Sequence, residues 1–288
     1  LISGFFTPGS HDRKGGRAFV RDRLVRLGIP LVVFLVLLRP LLMAPAPRGL
    51  EYWQWYLVSW DPGPLWFVEV LLVFALAYAL WRRRRGAPTP APGPRPLTFR
   101  AIALFTLGLA VVTFLWRFPV PQTSYVPILG LPTPYFLPQY TAMFVAGTVA
   151  FRRGWFASLP RRAGWIGFTV AGVATAAYLP VAAATNPVVV QAATALWESV
   201  FASGVICGLV VLFRKRFDTQ GRFGRFLSAH AYTVYIVHPL VLVAVAKAMR
   251  PLETIAVAKF ALLLAVAAPL CWALAYAVRS IPGAKRVL

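Results

Sequence analysis

The sequence predicts an all-α fold, a polytopic bundle of membrane-spanning helices. Three observations carry that prediction. Of the 288 residues, 59% are hydrophobic, and the mean hydropathy is +0.68. Charged residues are only 13%, about half the share found in soluble domains. Apolar residues gather in stretches close to the length of about 20 that crosses a hydrocarbon core, and Lys and Arg stand in short blocks between them. The net charge of +22 is thus spread over loops rather than gathered on one soluble surface, so no nucleic-acid partner is expected.

Taken in order, the chain opens with Leu1–Phe6, which is apolar but far too short to cross. It is expected to be the end of a span whose beginning lies upstream, an N-terminal helix fragment. A basic segment follows, DRKGGRAFVRDRLVRLGIP from Asp12 to Pro30. Arg13, Lys14, Arg17, Arg21, Arg23 and Arg26 abut the apolar run Ile29–Leu38. Such a segment stays where translocation leaves basic loops, in the cytoplasm. Arg23 and Arg26 are three apart, within roughly 60° of each other on an α-helix. Two adjacent guanidiniums can fork onto phosphate oxygens, so the stretch serves either as a topology anchor or as a phosphate-binding element.

Eight complete spans are expected, near Gly28–Met43, Pro64–Trp81, Phe99–Trp116, Tyr135–Phe151, Gly164–Ala184, Val188–Phe213, Leu227–Met249 and Thr254–Val278. Of the 30 Lys and Arg, 24 fall in Asp12–Leu27, Arg82–Arg100, Arg152–Arg162, Arg214–Arg225 and the segment after Val278. The other six, Arg39, Arg48, Arg117, Lys247, Arg250 and Lys259, fall at the opposite ends of the spans. The positive-inside rule then puts the C-terminus in the cytoplasm. The Pro-rich run Arg82–Pro96 reads as a polyproline-type linker. Glu51–Trp60, with Trp53, Trp55, Tyr56 and Trp60, suits the membrane interface. Phe118–Tyr140 holds six prolines and cannot be helical throughout. Cys207 and Cys271 lie inside apolar runs and read as core residues, with neither a disulfide nor a metal site expected.

Ionisable groups within spans are costly and mark functional candidates. Glu69 follows Trp66 by three residues on one face. Glu198 continues a stripe with Gln191 and Thr194. His238 follows Tyr235 and precedes Pro239, whose missing N–H leaves the Tyr235 carbonyl without its helical partner. Lys247, Lys259 and Arg39 either snorkel or pair with Glu69 and Glu198. Gly204 and Gly208 form a GxxxG step, read as plain helix packing. Glu198 needs a partner from another helix, and His238, Tyr235 or a lysine are the expected ones.

Several stretches, in this order, resemble the acyltransferase-3 family of bacterial membrane acyltransferases, which includes O-antigen acetylases and glucan succinyltransferase-like proteins. They are Ser3–Phe6, the basic segment Asp12–Pro30, GPLWFVEVLLVF at Gly63–Phe74, QYTAMFVAGTVAFRRGW at Gln139–Trp155, LWESVFASG at Leu196–Gly204 and AYTVYIVHPLVL at Ala231–Leu242. The resemblance implies a ten-helix bundle that passes an acyl group, commonly acetyl, from acyl-CoA to a hydroxyl of a carbohydrate or other cell-envelope acceptor. It implies a bacterial inner-membrane protein that meets the lipid bilayer, acyl-CoA and that acceptor. Arg23 and Arg26 look like the family's Arg-x-x-Arg linked to acyl-CoA handling, with Arg21 beside them. Trp66, Glu198, Tyr235 and His238 match recurrent family positions, and Trp66, Glu69 and Tyr235 are the candidate acceptor-binding residues. The family's catalytic His lies in a first helix absent here, and neither His230 nor His238 matches it. Residues 1–288 thus read as one acyltransferase-3-like domain lacking the first helix and most of the second. The resemblance thus implies that the general base lies outside these residues, which are incomplete for catalysis, and within them Glu198 and His238 are the catalytic candidates that remain. The alternative function is a carrier or flippase for an anionic lipid or small molecule, whose pathway the same charges would line.

Overall fold

The computed structural model describes residues 1–43, 49, 51–58, 62–86, 96–125, 133–217 and 219–288. Trp60, Arg48, most of the Pro-rich linker (87–95), and Pro127 and Pro132 of the second Pro-rich segment lie outside the described residues. Within them every regular element is helical. We number the helices α1 (Ile2–Lys14), α2 (Gly16–Leu42), α3 (Tyr52–Val58), α4 (Gly63–Arg85), α5 (Phe99–Trp116), α6 (Leu137–Arg153), α7 (Trp155–Ser158), α8 (Arg162–Ala182), α9 (Pro187–Arg216), α10 (Arg222–Ala248), α11 (Ala256–Ser280) and α12 (Ala284–Val287).

Seven of these, α2, α4, α5, α8, α9, α10 and α11, are long and apolar enough to cross a membrane. The eighth expected span appears as α6, whose 17 regular residues follow a single 3₁₀ turn at Pro134–Phe136. Large apolar side chains stay exposed along the helices, for example Leu104 at 65% and Val257 at 75%. A lipid-facing surface requires this, since hydrocarbon carries no penalty for exposed Leu or Val.

The basic segment before the first span differs from expectation. It is not a loop: α1 runs to Lys14, and α2 begins at Gly16, twelve residues before the expected Gly28. The break is Gly15, whose φ of 78° is a conformation that costs glycine nothing. The arginines end the hydropathy run but not the helix, because Arg is a good helix former. Two π turns, Leu24–Gly28 and Phe34–Leu38, interrupt the α geometry of α2. The aromatic stretch after α2 is likewise a short helix, α3, with Trp53 61% exposed.

Helix ends follow local chemistry. Thr98 caps α5 by accepting from the Ala101 N–H, and Asn186 caps α9 by accepting from Val188 and Val189, ahead of Pro187 at the first helical position. Gly154, at φ 63°, closes α6.

The chain forms two compact units. The first holds Leu1–Phe19, Ala77–Tyr125 and Pro132–Thr219. In it α1 packs on α6, α8 on α9, and α5 on α9. Glycines set the closeness: a Cβ added at Gly4 would strike the Phe144 backbone, and one at Gly167 the Gly204 carbonyl. A buried Thr106 Oγ1–Ser203 Oγ bond of 2.9 Å ties α5 to α9. The second unit holds Val20–Leu76 and Gln220–Leu288. Its core gathers Leu27, Phe34, Leu65 and Val68, flanked by Tyr232 and Tyr235, and α10 packs on α11 around Val241, Ala267 and Cys271.

Candidate functional site

Each unit brings polar groups together. In the first unit, at the end of α9 away from its basic Arg214–Arg216, Glu198 is held by two helices. The Arg117 guanidinium, at the C-terminus of α5, donates to Glu198 Oε2 in a close ion pair. Gln139 Nε2 of α6 donates to the same oxygen at 2.8 Å. The Arg117 side chain is fully buried, and its Cζ lies 3.9 Å from the centre of the Tyr135 ring, a cation–π geometry. Its Nε and Nη1 are buried and have no hydrogen-bond partner among the described residues. The Gln191–Thr194–Glu198 stripe is used along its length: Gln191 donates to the Phe114 carbonyl at 3.4 Å, and Thr194 shares a 2.9 Å hydroxyl bond with Tyr178. Tyr178 stacks on Trp197, whose Nε1 donates to Thr175. The partners expected for Glu198 were His238, Tyr235 or a lysine; the structure supplies Arg117 and Gln139. In the distribution of basic residues Arg117 is one of the six that mark the far ends of the spans.

The basic end of the same unit carries a second cluster. Arg152 forks onto Asp12, Nη1 to Oδ2 at 2.5 Å and Nη2 to Oδ1 at 3.1 Å, and also reaches Tyr78 Oη at 3.2 Å. Arg82 lies 4.0 Å from Asp12, and His11 Nδ1 3.6 Å. Burial alone would raise the Asp12 pKa. The Arg152 fork, with help from His11 and Arg82, reverses that and holds the carboxyl below its ordinary 3.8. A depressed carboxyl stabilises the fold above the unfolded pKa, and the benefit is lost as pH falls through the folded one. Asp12→Asn should therefore lower Tm at pH 6, and the gap from wild type should close towards about pH 3. A gap that stays constant across that range would show that the Asp12 charge contributes nothing.

In the second unit, Arg21 and Arg26 are exposed at the head of α2 and Arg23 is partly buried. Arg23 precedes the π turn Leu24–Gly28, so the α-helical 60° spacing does not carry over to Arg23 and Arg26. Asp22 lies 3.4 Å from Arg26 Nε, whose side chain is 58% exposed. Tyr232 Oη donates to the Arg26 carbonyl at 2.7 Å, and Tyr235 Oη to the Pro64 carbonyl. His238 Nδ1 lies 2.6 Å from the Tyr235 carbonyl, the acceptor that Pro239 leaves open. The ring therefore donates its Nδ1 proton to that carbonyl, and Nε2 has no partner among the described residues. Trp66 packs edge-on to Phe67. Glu69 is partly buried and meets no cation within ion-pair distance among the described residues. Arg39 is buried with its guanidinium over the Tyr56 ring, and Lys259 donates to the Leu252 carbonyl.

A family model described as an acyltransferase domain matches residues 1–276 of the 288. The chain belongs to the acyltransferase-3 family and is a membrane acyltransferase. No curated protein and no solved structure matches it. Among the described residues of this acyltransferase no three His, Cys, Asp or Glu gather as a metal site would require.

The arrangement separates two kinds of chemistry. The Glu198 carboxylate is already spent on two donors, which suits orientation of a ligand hydroxyl better than proton removal. His238 is the reverse: Nδ1 is fixed on the Tyr235 carbonyl and Nε2 is open towards a ligand. Tyr235 has committed its proton to Pro64, so towards a ligand it can only accept.

Proposed function

We propose that this acyltransferase takes an acyl group, commonly acetyl, from acyl-CoA and passes it to a hydroxyl of a carbohydrate or another cell-envelope acceptor, in the bacterial inner membrane with its C-terminus in the cytoplasm. The observation that carries the donor side is the set of Arg21, Arg23 and Arg26 at the head of a span, two of them exposed. CoA phosphates call for planar, bidentate donors, and a phosphate arriving at Arg26 would compete with Asp22 for it. His238 Nε2 is the base this reading assigns to the acceptor hydroxyl, and Trp66 and Glu69 are assigned to acceptor binding. The family match favours this reading over a carrier or flippase.

The test is donor binding by the intact protein in inside-out membrane vesicles, which present the cytoplasmic face. Arg23→Lys and Arg26→Lys should each cost roughly 1.5–3 kcal/mol, about ten- to hundredfold in affinity, although the charge is kept. His238→Gln should leave donor affinity intact and abolish transfer. Unchanged affinity in both lysine variants would return the stretch to a topology anchor, for which either cation serves. Binding confined to right-side-out vesicles would reverse the sidedness.

A further inference from the structure

In the first unit a groove of about 730 Å³ runs along α5 and α6, with Ser203, Cys207 and Val210 of α9 also lining it; apart from Thr141 and Ser203 its lining is apolar. Its α5 wall extends from Ala101 to Val112 and its α6 wall from Pro138 to Ala150. At 1.5 Å per residue those walls are about 17 and 18 Å long. One leaflet of a bilayer, half of a core about 30 Å thick, has the same depth. The middle of the groove is empty: Gly108 lines it, and a Cβ added there would meet nothing within 4 Å.

Both walls end in an arginine at the basic end. Arg100 stands four residues before Leu104, on the same face of α5. Arg153 stands four after Val149 on α6, its guanidinium 5.9 Å from the centre of the Trp155 ring, which itself lines the groove. Neither arginine meets a carboxylate among the described residues, and Asp12, the one acidic side chain described at this end of the first unit, is taken by Arg152 and flanked by Arg82.

We propose that the groove holds one acyl chain of an anionic phospholipid from the cytoplasmic leaflet, with its phosphate between Arg100 and Arg153. The groove supplies an apolar slot one leaflet deep, and the two arginines supply cations where a headgroup would lie. The proposal rests on the positive-inside assignment of the basic ends, and it is independent of the identity of the acyl donor and acceptor.

Native mass spectrometry of the detergent-purified protein tests it, with phosphatidylglycerol and phosphatidylcholine of identical chains as probes. The expected result is a one-to-one adduct that favours phosphatidylglycerol. Arg100→Gln/Arg153→Gln, which alters one exposed and one half-buried side chain, should weaken phosphatidylglycerol about thirtyfold and bring it level with phosphatidylcholine. Gly108→Phe should fill the groove and remove both adducts. Val145→Trp, from an exposed position on the opposite wall, should do the same and guards against misfolding of the first variant. Equal retention of the two lipids by wild type, or lipid binding that survives both groove fillers, would overturn the proposal. So would a dimer that the fillers dissolve, or wild-type protein with no lipid adduct, since protein would then cover the groove.

Discussion

Arg117→Met should destabilise the protein by about 3–5 kcal/mol, the cost of breaking a buried ion pair from one side. The pair joins α5 to α9 across 81 residues of sequence, and the Arg117 side chain is wholly buried. Removing the guanidinium leaves the Glu198 carboxylate in a low-dielectric setting with Gln139 as its remaining donor. Glu198→Gln should also destabilise, because it strands the buried cation, softened by the Tyr135 ring beneath it. The double variant Arg117→Met/Glu198→Gln should recover most of the loss, since neither charge is then left alone. Thermal melts of the detergent-purified proteins give the cycle. If the double variant were as unstable as the sum of the singles, the ion pair would not be what holds Arg117 and Glu198 in place.

The sequence made part of this arrangement legible. Composition and the alternation of basic blocks are properties of each segment by itself, and seven of the expected spans appear as long apolar helices. Tyr235, His238 and Pro239 could be related because the broken bond and the group that fills it lie within one helical turn. Glu198 could be picked out as a costly charge, but its partner could not. Arg117 stands at the end of its own helix, where a cation satisfies the positive-inside count and raises no question, and no periodicity reports which helix lies beside it. The start of α2 was misplaced for the same reason that its topology was readable: arginines interrupt apolarity without interrupting helix. The π turn after Arg23 leaves no mark in residue spacing, so the three-residue step from Arg23 to Arg26 does not give the angle that an α-helix would.

Helix packing between α8 and α9 should prove equally sensitive to the smallest change. A Cβ at Gly204 would lie 2.5 Å from the Gly167 carbonyl oxygen, and one at Gly208 would lie 2.6 Å from the Phe168 ring. At Gly167 and Gly204 the backbones meet with no side chain between them, the arrangement that small residues allow in membrane helices. The GxxxG step at Gly204 and Gly208 is therefore packing, as its sequence suggests, and its partner surface is Gly167, Phe168 and Ala171. Gly167→Leu or Gly204→Leu must push the two helices apart along their whole length. Each should cost about 3 kcal/mol or more, at the upper end of overpacking penalties. Gly172→Leu is the control: it lies on the same helix, is exposed, and its added Cβ would meet nothing within 4 Å. Replacing a helical glycine there should be neutral or stabilise by up to about 1 kcal/mol. Melting the three variants side by side separates close approach from helix propensity. If Gly167→Leu and Gly172→Leu melted together, the α8–α9 approach would not be a tight one, and the stripe of small residues would lose its structural meaning.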